Sequence, residues 1–187
     1  DKAFPMKPQR MLSDLRTAMR DEDTLISDVG AHKMWIARHY PTYEPRTCFI
    51  TNGFCSMGFA LPGAMAAKMV FPDSRVLAIC GDAGFAMNTQ EMETIKRMKQ
   101  NIVCMVWEDH AYGLIAWKQY SHFGKHTDLA FDNPDWIKLA EAYGARGFLA
   151  NGPAELEATL KKSLTLDAPV LIEVPVGPMP SPFFKAP

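Results

Sequence analysis

Asp82 and Asp109 each stand just beyond an apolar run, residues 75–80 and 102–107. If those runs are neighbouring parallel strands, both carboxylates project from one edge of a sheet, where open α/β folds bind their ligands. Two hard oxygen ligands suit Mg2+, which takes one or two carboxylates from a protein and fills its shell with water and phosphate oxygens. Small residues follow the first aspartate, so the amides of Ala83 and Gly84 could face phosphate with no side chain in the way. Either aspartate alone could equally cap a turn; the pair at matched strand ends is harder to explain that way.

Other phosphate motifs do not occur. Residues 81–86 read Gly-Asp-Ala-Gly-Phe-Ala, which is not the GxGxxG spacing of a dinucleotide fold, and the sequence has no GxxxxGK[ST]. A nicotinamide dehydrogenase and a P-loop kinase are thereby disfavoured. Cys48, Cys55, Cys80 and Cys104 are widely spaced with no CxxC, so they read as free thiols rather than zinc ligands or a redox pair.

The 187 residues, 48% hydrophobic and 22% charged, suffice for one globular domain with a buried core. Lys+Arg 20 against Asp+Glu 21 leaves no basic excess for a phosphate backbone, so nucleic acid is not an expected partner. The least charged stretch, 48–71, is broken by Asn52, Lys68 and several Gly and Pro, and no basic-then-apolar leader opens the sequence. A cytoplasmic protein with no membrane association is the expectation.

Apolar runs alternate with helical spacing, which predicts βα units: an α/β fold with a mostly parallel sheet and helices on both faces. Strands are expected at 24–27, 48–51, 75–80, 102–107 and 169–174, the unbroken 75–80 run implying burial on both faces. A first helix gathers Met11, Leu12, Leu15 and Met19 on one face, and others are expected at 31–40, 58–69, 135–143 and 154–164. Asn88 and Glu91 have the spacing of a capping box, opening a helix that turns Met92, Ile95 and Met98 inward. Residues 81–84 are expected to form a turn, and 108–125 to be mixed and partly loop. The domain is expected to span 1–176, with 177–187 as an extended tail.

Residues 81–88, Gly-Asp-Ala-Gly-Phe-Ala-Met-Asn, continued to Trp107-Glu108-Asp109-His110-Ala111-Tyr112-Gly113, resemble the GDG-to-NN signature of thiamine-diphosphate enzymes, with 27 positions (109 − 82) between the two aspartates. Residues 52–64 (Asn-Gly-Phe-Cys-Ser-Met-Gly-Phe-Ala-Leu-Pro-Gly-Ala) are similar to the segment holding the cofactor's middle in the acetohydroxyacid (acetolactate) synthase group. Residues 27–35 (Ser-Asp-Val-Gly-Ala-His-Lys-Met-Trp) are similar to that group's diphosphate-side segment. Three matches in order, with their flanking elements, cover most of the chain.

The resemblance implies a C-terminal diphosphate-binding (PP) domain. It implies Mg2+ ligated by the carboxylates of Asp82 and Asp109 and the carbonyl of Ala111. Met57 would be the bulky apolar residue that keeps thiamine diphosphate bent, and the Cys55 carbonyl would accept a hydrogen bond from its pyrimidine amino group. His32, with the amides around Ala83, Gly84, Gly113 and Leu114, would line the diphosphate. Gly81 and Tyr112 fall in the same cofactor-lining segments, and Ile115 lies where the family approaches the reacting carbon. Ala83 stands where the family has glycine, and Glu108-Asp109 where Asn-Asn is usual. Asp109 with Trp107 close before it looks more like the catabolic acetolactate synthases than the biosynthetic ones. Ala31 replaces a polar residue that often touches the diphosphate in the biosynthetic group.

The implied activity is decarboxylation of pyruvate and carboligation to a second 2-keto acid, giving acetolactate, with the cofactor as electron sink. The family's activating glutamate belongs to a pyrimidine-binding domain and has no match here, so no catalytic side chain is expected in this chain. Glu91 and Glu93 read as cap and surface. The pyrimidine-binding domain is expected in cis or on a separate chain, within a homo-oligomer, and FAD would sit elsewhere in a full-length enzyme. Two alternatives remain open: the PP domain of another thiamine-diphosphate 2-keto-acid decarboxylase or lyase, and a non-catalytic assembly domain that keeps the fold.

Overall fold

In the apolar run Val76–Gly81, Leu77 and Ile79 face one side and Val76, Ala78 and Cys80 the other, so a single strand feeds two cores. The next apolar run divides the same way: Val103, Met105 and Trp107 against Ile102, Cys104 and Val106. Such strands are stable only between two layers of helices, which is the arrangement of this chain. The structure, a computed structural model, describes residues 4–177. The elements in chain order are α1 (Pro8–Ala18), β1 (Thr24–Ser27), α2 (Ala31–His39), β2 (Cys48–Ile50), α3 (Ala60–Val70), β3 (Val76–Gly81) and α4 (Asp82–Ala86). They continue with α5 (Glu91–Arg97), β4 (Ile102–Glu108), α6 (Gly113–Phe123), α7 (Trp136–Ala142), β5 (Arg146–Leu149), α8 (Pro153–Ser163) and β6 (Val170–Pro175).

The six strands are all parallel, in the order β2-β1-β3-β4-β6-β5. Met11, Leu12 and Leu15 of α1, Trp35 and Ile36 of α2 and Leu156 and Leu160 of α8 cover one face. Leu61 and Ala64 of α3, Phe85 of α4, Met92 and Ile95 of α5 and Trp136 and Ala140 of α7 cover the other. The α/β class expected from the sequence is therefore the class observed. No described helix is long and apolar enough to cross a membrane.

Several local expectations give way to tertiary contacts. Residues 82–86 form a short helix rather than a turn, because Phe85 is drawn into the core edge-on to Trp136, with ring centroids 5.2 Å apart. The capping box does not form. Asn88 sends its Nδ2 to the carbonyl of Gly58 at 2.7 Å, and α5 starts at Glu91 with no side-chain cap. Met98 lies past the end of that seven-residue helix and is 40% exposed, not inward. The edge strand β5 was not expected: Arg146-Gly147-Phe148-Leu149 has no apolar alternation and exists because β6 offers it an open edge. Within 108–125, residues 113–123 are helical, yet none of them is buried. The expected tail lies outside the described residues, apart from Gly177.

Candidate functional site

From β1 the chain moves to β2 on one side, then returns to β3 on the other, so the strand order reverses between β1 and β3. At such a reversal the connections leaving the strand ends diverge and open a crevice. A cleft open to solvent occupies this place. Val29, Gly30, Ala31 and His32 reach it from the end of β1, and Gly81, Asp82, Ala83 and Gly84 from the end of β3. Asp109, Ala111, Tyr112, Gly113, Leu114 and Ile115 reach it from the end of β4, and Met57 from the loop before α3. Of the cofactor and metal positions inferred from sequence, Cys55 alone is not part of the lining. It sits two residues before Met57 with φ +55, and its Sγ lies 3.3 Å from the Lys33 ammonium.

The two aspartates come together because β3 and β4 pair in register, Gly81 opposite Trp107, so both chains leave the sheet at the same level. Asp82 is buried and fully engaged: Oδ1 accepts from the amide of Ala83 (2.9 Å), and Oδ2 from the amide of His110 and from Asn133 Nδ2 (both 2.8 Å). The Ala83 amide, expected to face a phosphate, is thus turned to its neighbour's carboxylate. Asp109 accepts only a long bond from the amide of Ala111, 3.3 Å. Its carboxyl is pushed up to about 6, first by burial and then by the charge of Asp82. Two carboxylates that repel each other in a cleft gain from a shared divalent cation. Among the described residues no group of three or more His, Cys, Asp or Glu could hold a metal. A cation here would rely on oxygens beyond the two carboxylates, such as the Ala111 carbonyl and a diphosphate, which fits the coordination habits of Mg2+.

Gly113 fits tightly against this pair. A Cβ there would lie 2.8 Å from Asp109 Oδ2, and that oxygen, at the end of a side chain, is what would move. Gly113→Ala is expected to leave thermal stability nearly unchanged while weakening Mg2+-dependent cofactor binding about 10-fold, the scale of a misplaced ligand. Calorimetric titration beside a melting curve checks this, and equal affinity would refute it.

His32 is buried, with its ring edge toward Trp107 and Nε2 3.1 Å from the Asp28 carbonyl. A carbonyl only accepts, so Nε2 carries the proton and the neutral ring presents Nδ1 as an acceptor. Burial, reinforced by the charge of Lys33, lowers this histidine to about 4. In that state His32 forms the wall of the cleft without a proton to give a phosphate.

Sequence reasoning missed Asn133. Its Nδ2 bridges Asp82 Oδ2 and Glu108 Oε1, 2.8 Å from each, and Glu108 also accepts from Trp136 Nε1 at 3.1 Å. Asn133 is 51 positions from Asp82, and no local spacing announces a contact of that range. Replacing it with alanine is expected to weaken Mg2+ binding about 10- to 100-fold, the usual effect of removing a residue that orients a metal ligand. Unchanged Mg2+ dependence of cofactor binding would remove Asn133 from the site.

Residues 28–174 match the family model described as thiamine pyrophosphate enzyme, C-terminal TPP binding domain. The chain is 36% identical over 176 residues to an acetolactate synthase of Bacillus subtilis (strain 168), covering 94% of this chain and 30% of that protein. It is 32% identical over 173 residues to a catabolic acetolactate synthase of Raoultella terrigena, covering 92% and 31%. With the mitochondrial acetolactate synthase catalytic subunit of Aspergillus candidus it shares 33% identity over 184 residues, covering 93% and 26%. The chain thus spans about 30% of the length of the curated relatives it matches. A parallel sheet whose strand ends bring paired aspartates to a cleft, and a family match over the segments that build that cleft, make this chain a member of the C-terminal TPP-binding domain family of thiamine pyrophosphate enzymes.

Proposed function

We propose that this chain is the diphosphate-binding part of an acetolactate synthase-like transferase, holding thiamine diphosphate through Mg2+ and acting with a pyrimidine-binding domain in cis or on another chain. The observation that supports this reading is the convergence of Asp82, Asp109, the Ala111–Ile115 segment and Met57 on one cleft. Thiamine diphosphate supplies the electron sink that makes decarboxylation of a 2-keto acid possible. The chain's own residues do the rest of the binding. Asp82 and Asp109, with the Ala111 carbonyl, would hold the cation that neutralises the diphosphate. Gly81, Gly84 and Gly113 keep side chains out of its path. Met57, Leu114 and Ile115 offer apolar contact for the rings and exclude water from the reacting region, where a low dielectric strengthens every charge interaction.

Among the described residues lining the cleft, Asp82 and Asp109 are the only acids, and both would hold the cation, which leaves none there to protonate the cofactor's pyrimidine. Glu108, outside the lining, is tied to Asn133 and Trp136. The chain by itself is therefore expected to bind Mg2+ and thiamine diphosphate weakly and to form no acetolactate from pyruvate. Isothermal titration and an acetolactate assay, with and without an added pyrimidine-binding domain, test both halves. Robust turnover by the chain alone, or no binding at all, would overturn the reading.

A further inference from the structure

The loop that carries Met57 is held from two sides by residues that take no part in the metal site. We propose that Asp28 and Asn88 clamp Gly58 from both sides and are positioning residues that set Met57 toward the cofactor, an inference that rests on the function proposed above. Asp28 directly follows β1 and is fully buried. Its Oδ1 accepts from the amides of Val29 (2.6 Å) and Gly58 (3.0 Å), and its Oδ2 from the amide of Ala60 (3.3 Å). Asn88 approaches from the other side, donating from Nδ2 to the Gly58 carbonyl at 2.7 Å. Gly58 is therefore gripped on the two peptide groups that flank its Cα, at its N–H by a side chain 30 positions before it and at its C=O by one 30 positions after it.

Earlier in the loop Lys33 Nζ donates to the Thr51 carbonyl (3.2 Å) and lies 3.3 Å from Cys55 Sγ, while Phe54, near the tip, is 97% exposed. Gly58 has φ +83, a left-handed conformation that suits glycine, and a Cβ there would lie 2.6 Å from Asn88 Nδ2. A buried carboxylate is costly to keep unless its oxygens are satisfied, and here the loop amides satisfy them. Burial pushes the Asp28 carboxyl up and the amide bonds hold it back. The same carboxylate lies behind Gly84, which lines the cleft: a Cβ on Gly84 would be 3.3 Å from it. Asp28 thus joins the segment that holds the middle of the cofactor to the strand end that holds its phosphates.

The clamp predicts an effect confined to the organic part of the cofactor. Amide hydrogen exchange in the cofactor-free chain, and titrations with Mg2+ plus either thiamine diphosphate or inorganic pyrophosphate, are compared for wild type, Asn88→Ala and Asp28→Asn. Asn88→Ala removes the bond to the Gly58 carbonyl and an exposed one from Gln90 Nε2 to Asn88 Oδ1, both on a partly exposed side chain, and should fold normally. Exchange at Gly58 and Ala60 is expected about 10-fold faster, and thiamine diphosphate affinity about 10-fold weaker, with pyrophosphate affinity unchanged. Asp28→Asn, which turns an NH2 toward donor amides, is expected to exceed both effects. Unaltered exchange, unaltered thiamine diphosphate affinity, or equal loss for the two ligands would overturn the clamp. If the wild-type chain binds neither ligand, the proposed function fails, and the exchange rates alone then decide whether the clamp exists.

Discussion

Asp82→Ala is expected to reduce Mg2+-dependent thiamine diphosphate binding by about 100-fold or more, since losing one partner of a buried charged contact costs roughly 3 kcal/mol. It should also lower stability. The amides of Ala83 and His110 and the Nδ2 of Asn133 all donate to this carboxylate, and each buried donor left without an acceptor costs about 1–3 kcal/mol. Asp109→Ala supplies the contrast. Asp109 makes one long backbone bond and stands in the field of Asp82, so its removal relieves repulsion. That variant is expected to melt no lower than wild type in the absence of Mg2+, yet to lose the rise in melting temperature that Mg2+ and cofactor give the wild type. If Asp82→Ala binds cofactor as tightly as wild type, the cation is not held where the two strand ends meet.

Burial of His32 is expected to cost the cofactor-free chain about 3 kcal/mol of stability once the pH has fallen below 4. Burial lowers this histidine from 6.5 to about 4, with the charge of Lys33 acting in the same direction and the bond to Asp28 against it. Between those values the unfolded chain holds a proton that the folded chain does not, so stability falls as pH falls. Above pH 6.5 both states are neutral at this site and the contribution is fully present. The carboxyls of Asp28, Asp109 and Glu173 are raised instead, and they oppose the trend because the folded state holds their protons more tightly. His32→Gln isolates the one contribution: glutamine keeps a donor for the Asp28 carbonyl and has no charge to gain. Between pH 7 and pH 4 the urea midpoint of His32→Gln should therefore rise relative to that of wild type at the same pH. Parallel curves would show that burial of this ring does not control acid stability.

The metal-ligand candidates were legible because strand ends are local features. An apolar run followed by Gly-Asp, and another followed by Glu-Asp, put Asp82 and Asp109 at strand tips before any pairing is known. What the runs could not say is that β3 and β4 are neighbours with Gly81 level with Trp107, and that register is what brings the two carboxylates into each other's field. The expected capping box failed for a related reason. A cap is a contact within one turn, and Asn88 satisfies a Gly58 carbonyl 30 positions away instead.

By itself the sequence determined the α/β class and five of the six strands, since hydrophobic period depends only on near neighbours along the chain, and its resemblance to the thiamine-diphosphate enzymes named most of the residues that gather at the cleft, Val29, Gly30 and Ala31 excepted. Tertiary structure alone decided the edge strand β5, the helix at Asp82–Ala86, the tautomer of His32 and the parts played by Asp28, Asn88 and Asn133. Each of these turns on a polar atom or an open strand edge finding its partner far along the chain. Such a choice is made by competition among all the donors, acceptors and edges that folding brings within reach, and no short window of residues contains the competitors.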